Sequence, residues 1–429
     1  MVKISIKHVI GKAGTGKTTY AKRVAEYHIK RNKRVYCLSF THSAVENMKR
    51  RGFNDRCEFS TLHSFFRIDF NGEVIGCFKY VDVIIIDEFS LIASALLDRC
   101  IKSIFKAGDS LGINECEIYL IGDPLQLGAV NINDSITYTL LNDAFNVIPI
   151  EIIPVDKRIP IIKHWGSLCI NSPTVKELTT KTLTLTMNHR SEDTLMKLVD
   201  SIVMNGDITP IIPLIATVDD VVKRIRNESY IVLASRYDVL QKINSRVRIE
   251  KNTLKYHDWL YIENEPIYMT INSNSIYNGE HAILIHADET SVTIDNNGNR
   301  NIITDMYLCN VDGVKVNDKI PLAMPSYLYT FHKSQGMEFD NVAICIDDLF
   351  EFPMLYTGIT RARKNVIFFT MNSLLLSDID DTIKLSKNEE SYQKFLSTAD
   401  NRARINEYLC ERINTGTIEI RTIDAIYNR

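Results

Sequence analysis

Apolar runs that end abruptly in glycine-rich or acidic tips recur along this chain. Ile4, Ile6, Val9 and Ile10 alternate as in a strand, and after a glycine-rich stretch residues 18 to 30 read as a helix. Val83-Ile84-Ile85-Ile86 is unbroken, as in a strand buried on both faces of a parallel sheet, and closes on Asp87-Glu88. Tyr119-Leu120-Ile121 repeats the arrangement and closes on Gly122-Asp123. Strands alternating with helical stretches predict parallel sheets that gather ligands at their carboxyl ends. From about 258 to 326 the period changes. Short alternating runs at 259–262, 267–271, 282–285 and 291–295, punctuated by Asn278-Gly279, 296–299 and Asp312-Gly313, predict a small antiparallel barrel. Asn71-Gly72 between strand formers predicts a tight hairpin near 68–75.

Composition narrows the class. The 429 residues are enough for two or more domains, and 45% hydrophobic with 24% charged is ordinary for a globular protein. No apolar run is long enough for a membrane span, and the first residues run straight into the glycine-rich loop, so the expectation is an intracellular chain without a leader or membrane anchor. Nine cysteines without a Cys-x-x-Cys pair suggest neither a zinc site nor a disulfide framework. The balance of 50 basic against 53 acidic residues argues against a general polyanion binder. Residues 1–60, however, carry 14 Lys or Arg against 4 acids, a local excess of ten that can serve a phosphate backbone or a solvated helix face.

Gly11-Lys12-Ala13-Gly14-Thr15-Gly16-Lys17-Thr18, followed by Thr19, is a full Walker A loop between a strand and a helix. In such a loop backbone amides cradle phosphate, Lys17 reaches the β and γ oxygens, and the Thr18 hydroxyl is a ligand for Mg²⁺. Asp87-Glu88 then reads as Walker B, with Asp87 on the metal and Glu88 placed to deprotonate water. Gln126, just past the third strand tip, can sense a γ-phosphate by hydrogen bonding.

In this order the motifs resemble those of superfamily 1 helicases. Gly122-Asp123-Pro124-Leu125-Gln126 looks like motif III, Leu185-Thr186-Met187-Asn188-His189-Arg190-Ser191 like motif IV, Tyr329-Thr330-Phe331-His332-Lys333-Ser334-Gln335-Gly336-Met337-Glu338 like motif V, and Thr357-Gly358-Ile359-Thr360-Arg361-Ala362-Arg363 like motif VI. The resemblance covers about residues 8 to 370. It implies two RecA-like α/β domains with parallel sheets, roughly 1–182 and 183–371, the second holding the barrel at about 258–326. Residues 372–429 read as a mostly helical, charged tail. It further implies that Arg190 and Arg361 reach the γ-phosphate from the second domain, that Arg363 is structural, and that Gly336 and Glu338 belong to nucleotide binding, Glu338 on the ribose. The family usually carries an upstream glutamine that selects adenine; ten residues precede Gly11 and none is glutamine, so ATP is expected with other NTPs open.

For nucleic acid the resemblance points to Phe40, Thr41 and His42 in a motif Ia, to Thr61, His63 and Phe65 in a Thr-x-His segment, and to Thr330 and His332, with Ser235 as a further position. Hydroxyls and amides can grip phosphates without reading bases, and aromatic faces stack on any base. Core packing is equally open to Phe40, Phe65 and Phe66, and one or two of them are expected to be buried. Fewer than twenty residues separate the Thr-x-His segment from Walker B, too few for the helical insertion of UvrD-like enzymes; with the small hairpin and the barrel this resembles the RecD- and Dda-like branch, which moves 5′ to 3′. The hairpin can be a strand-splitting pin or an ordinary edge hairpin. The function implied is an ATP-dependent DNA helicase of replication, recombination or repair, acting as a monomer or loose oligomer. An RNA-stimulated NTPase and an NTP-gated subunit of a larger complex are the alternatives.

Overall fold

The computed structural model describes residues 2–69, 73–129, 169–187, 195, 197–199, 209–248, 253–270, 278–304, 321–346 and 352–371. The described residues pack as two units, one drawn from 2–40 and 51–187, the other from 41–50 and 195–371.

In chain order the elements are β1 Lys3–Gly11, α1 Lys17–Ile29, β2 Val35–Ser39, α2 His42–Arg50, β3 Glu58–Thr61, α3 Leu62–Phe66, β4 Val83–Asp87, α4 Ser94–Leu111, β5 Glu115–Gly122, α5 Pro173–Leu178 and β6 Thr179–Leu185. They continue with α6 Val218–Glu228, β7 Ile231–Ala234, α7 Tyr237–Arg248, β8 Leu254–Tyr256, β9 Trp259–Tyr261, β10 Pro266–Met269, β11 His281–Ala287, β12 Ser291–Asn296, β13 Asn299–Thr304, β14 Ala323–Pro325, β15 Leu328–Thr330, α8 Phe331–Ser334, β16 Phe339–Cys345, α9 Phe352–Ile359 and β17 Ala362–Phe369.

The first unit is a parallel sheet in the order β3-β2-β4-β5-β1-β6. Its central strands are apolar on both faces, and Ile6, Leu38, Ile84, Ile86, Ile118 and Leu120 meet α3 and α4 in one core. Register decides where chemistry collects. Asp87 lies beside Ile121, and Gly122 beside Ile10, so the ends of β1, β4 and β5 finish at one edge of the sheet. The predicted hairpin is seen at its base, where Ile68 pairs antiparallel with Val74; residues 70–72 lie outside the described residues.

The second unit holds a parallel sheet in the order β15-β7-β16-β17. Inserted between its strands β7 and β15 are the β8-β9 hairpin and an antiparallel sheet in the order β13-β12-β11-β10-β14. The antiparallel strands fall on the predicted runs; the expected barrel also needs residues 271–277 and 305–320, outside the described residues. The expected helical tail at 372–429 lies outside them as well. Among the described residues no helix is long and apolar enough to cross a membrane.

Candidate nucleotide site and nucleic-acid positions

The loop after β1 turns through two left-handed glycines, Gly14 at φ 80° and Gly16 at φ 81°. A side chain at either would be strained, and Gly16 caps α1 with no side-chain hydrogen bond, which leaves the first amides of α1 to a ligand. Gly11 is required for another reason: a Cβ there would lie 2.5 Å from Thr15 Oγ1 and 2.8 Å from the Leu185 carbonyl oxygen. Thr15 is buried and its hydroxyl donates to the Lys12 carbonyl at 2.8 Å. Lys17 Nζ donates to the carbonyls of Gly11 (2.7 Å) and Lys12 (3.0 Å), so its ammonium is folded over the loop that would cradle a phosphate. Thr18 and Thr19 open α1, and Thr18 Oγ1 accepts from Arg51 Nη1 at 2.6 Å.

At the tip of β4, Asp87 is buried. Burial first, then the charge of Glu88, pushes its carboxyl up to about 7, against the pull of Lys17 and Arg51. Glu88 adopts φ 55° and ψ 51°, a left-handed conformation that costs a non-glycine residue about 1–2 kcal/mol. Strain of this size at the end of a central strand aims a side chain and is common where function over-determines the backbone. Glu88 Oε2 is buried and has no hydrogen-bond partner among the described residues; Gln126 Oε1 is the same. Gln126 is held by its own amide donating to the Asp123 carbonyl at 3.2 Å, in a turn where Asp123 Oδ1 accepts from the Leu125 amide at 3.0 Å.

An unpartnered buried acceptor is costly unless a ligand completes it. Two acceptors, a carboxylate at Asp87, the Thr18 hydroxyl and the Lys17 ammonium therefore fit a triphosphate, its Mg²⁺ and an attacking water. Mg²⁺ held by Thr18 and Asp87 would take up charge on the phosphate oxygens.

In the second unit the motif side chains are tied to their own surroundings. Arg361 is buried; its Nε donates to the Thr357 carbonyl (3.2 Å), Nη1 to the Met337 carbonyl (3.2 Å) and Nη2 to Thr360 Oγ1 (3.3 Å). Glu338 Oε2 pairs with Arg363 at 3.1 Å. Gly336 has φ 77°, and its carbonyl accepts from Asn47 Nδ2 of α2 at 3.1 Å. Arg190 lies outside the described residues.

The nucleic-acid candidates divide by burial. Thr61 and Thr330 each end an edge strand and cap a short helix, accepting from the amides of Ser64 (3.1 Å) and Lys333 (3.4 Å). His63 and His332 sit one residue into those helices and are half-buried, as are Phe40 and Ser235. Phe40 meets His63 edge-on at 5.0 Å. Thr41 caps α2, accepting from the Ala44 amide at 3.2 Å, and burial holds His42 below its usual range while Glu280 and Glu46 pull it up. Phe65 corrects the sequence reading. It is 2% exposed, packed between Tyr36 and Phe66, so its ring belongs to the core with no face open to a base. Phe66 is buried with it, so two of the three phenylalanines are core.

Sequence reasoning missed Arg51, counted only as charge, and Lys333, a half-buried lysine whose Nζ donates to Asn278 Oδ1 and which desolvation pushes down to about 8. The run Lys49-Arg50-Arg51-Gly52 at the end of a short amphipathic helix is the one hint to Arg51.

Comparison with known proteins agrees with this arrangement. Residues 3–145 match the family described as AAA domain, and residues 325–369 the UvrD-like helicase C-terminal domain. The RecBCD enzyme subunit RecD of Buchnera aphidicola from Acyrthosiphon pisum is 24% identical over 447 residues, covering 87% of this chain and 71% of that protein. The RecD of Haemophilus influenzae is 27% identical over 133 residues, 30% of this chain and 18% of its own. Bacteroides Pif1 helicase in complex with ADP-AlF3 and ssDNA has the same fold at TM-score 0.55 and 18% identity, covering 91% of this chain and 95% of that one. Bacteroides Pif1 bound to ssDNA gives TM-score 0.56 at 18% identity, covering 90% and 94%. With six motifs in order on that fold, the chain is similar to the superfamily 1 helicases of the branch that holds RecD and Pif1.

Proposed function

We propose that the chain is an ATP-driven helicase on single-stranded DNA, working in recombination or repair and moving 5′ to 3′. The observation that carries the reading is one sheet edge at which Lys17, Asp87 and two unpartnered buried acceptors, Glu88 Oε2 and Gln126 Oε1, come together. A nucleotide binder without turnover has no use for a strained glutamate with a buried, unpartnered oxygen beside the metal ligand. Glu88 takes the proton of the attacking water; Gln126 orients that water or reports the γ-phosphate; Lys17, Arg190 and Arg361 donate to the transferring phosphoryl oxygens. Thr18 and Asp87 hold Mg²⁺, and Gly336 and Glu338 serve the nucleotide. Thr41, His42, Thr61, His63, Thr330 and His332, with Phe40 and Ser235, track the strand through phosphates and one stacked base. RecD and Pif1 relatives, the latter solved with ssDNA, support DNA over RNA as the track.

A second reading has its own support: the curated relatives carry the name of an enzyme subunit, so the chain can work as the NTP-gated part of a larger complex. NTP hydrolysis without nucleic acid, with single-stranded DNA and with single-stranded RNA separates these. Stimulation by DNA is expected. Stimulation by RNA alone would sink the DNA reading, and hydrolysis indifferent to both would favour the subunit. Unwinding of forked duplexes with a single 5′ or 3′ overhang then tests the polarity, and activity on the 3′ overhang alone would reverse it.

A further inference from the structure

Arg51 stands directly after α2 and counts with the first unit, where nothing in the motif pattern assigns it a task. Its backbone is held on both sides. Gly52 follows in the left-handed region at φ 72°, and Phe53 is buried edge-on to Phe59 at 5.9 Å. From that anchored turn the guanidinium reaches 33 residues back along the sequence to donate to Thr18 Oγ1 at 2.6 Å. Thr18 and Asp87 are the two side chains that fit Mg²⁺. A guanidinium has donors and no acceptor, so it cannot join a metal's ligand set, and two cations beside one hydroxyl oxygen repel each other.

We infer that Arg51 and the divalent cation are alternative partners of the Thr18 hydroxyl, so that loading of metal and nucleotide is coupled to release of Arg51 from Thr18. Arg51 is thus a positioning residue for the metal side of the first unit's site. The inference rests on the proposed nucleotide site. It concerns how the metal enters that site and leaves the chemistry there unchanged.

The test is binding of a fluorescent ADP analogue to the full chain across a Mg²⁺ series, with wild type, Arg51→Met, Arg51→Lys and Arg51→Glu. Removing the charge is expected to lower the Mg²⁺ concentration for half-maximal binding about two- to fivefold, the size of one partly exposed charge pair. Arg51→Glu is expected to lower it further and Arg51→Lys to stay near wild type. Weaker binding of Arg51→Met at saturating Mg²⁺ would make Arg51 a phosphate contact and overturn the inference. An unchanged Mg²⁺ requirement would overturn it as well. Wild type that binds no nucleotide at any Mg²⁺ concentration would instead remove the nucleotide site itself, a failure distinguishable from the other two.

Discussion

The two units of the chain treat their motif side chains in opposite ways. In the first, the groups around the glycine-rich loop stop short of completion: Glu88 Oε2 and Gln126 Oε1 are buried and unpartnered, and Glu88 holds a strained backbone to stay there. In the second, Arg361 spends its donors on the carbonyls of Thr357 and Met337 and on Thr360 Oγ1, Glu338 pairs with Arg363, and Lys333 donates to Asn278. The first arrangement is what a receptor preorganised at a cost in stability would show; in the second the groups are locked by their own unit. Functional polar groups of the first kind can be removed with little structural penalty, whereas those of the second carry fold and function together.

Arg361 gives the largest expected effect and the sharpest test of that difference. As a donor to the transferring phosphoryl group its loss should slow hydrolysis about 10³- to 10⁵-fold. As a buried fork on backbone carbonyls its loss should also lower stability. Arg361→Ala is therefore expected to fail in both stimulated turnover and denaturant midpoint; a variant slow but fully stable would erase the contrast drawn here. Glu88→Gln comes next. Nucleotide binding should persist while turnover drops about 10²- to 10⁴-fold, the usual worth of a general base. Relief of the carboxylate beside Asp87 should leave stability level or raised. Normal turnover by Glu88→Gln would take the general base away from this residue.

How much of this was open to a reader of the sequence follows the same line. The strand tips at Asp87 and Gly122 were legible because an apolar run ending in polar residues fixes both strand and tip; that β1, β4 and β5 end at one edge is seen only in the register. The left-handed turn at Glu88 was not, since the chain uses no glycine there. Arg51 on Thr18 and Lys333 on Asn278 join residues 33 and 55 positions apart, and no local spacing encodes either. The phenylalanines mark another limit. Phe40, Phe65 and Phe66 all lie in runs beside hydroxyl and histidine residues, and only packing against Tyr36 and the core separates the buried pair from the half-buried Phe40.

Lys333 offers a smaller, pH-dependent test. Its folded value of about 8 lies below the ordinary 10.5, so above the folded value the native state gives up a proton that the unfolded chain still holds. Stability contributed by this group should therefore be lowest below pH ~8 and rise as pH climbs toward ~10.5, by at most about 3 kcal/mol. Guanidinium unfolding of wild type and Lys333→Gln from pH 7 to 10 isolates the effect as their difference. A flat difference would mean that the ammonium keeps its ordinary value and that burial in the second unit is weaker than the contrast requires.

The smallest expected effect falls on the feature the two units share. Thr61 and Thr330 have almost the same backbone, φ −74° and ψ 155° against φ −76° and ψ 154°, and each caps a short helix at an edge strand. Each hydroxyl accepts one amide and has a proton of its own to donate, which the proposed track would offer to a phosphate oxygen. If the corner is the same device in both units, Thr61→Ala and Thr330→Ala should each lose about 1 kcal/mol of stability. Each should also weaken single-stranded DNA binding by a similar factor, and Thr→Ser should restore both. The surroundings predict where symmetry ends. Beside Thr61 stand Phe40 and His63, half-buried and in edge contact, whereas beside Thr330 stands a lysine committed to Asn278. Phe40→Ala should therefore reduce DNA binding with little dependence on salt, through lost stacking, and the loss at Thr330 should grow as salt falls. Equal salt dependence at both corners would show that the difference in their surroundings does not reach the strand they hold.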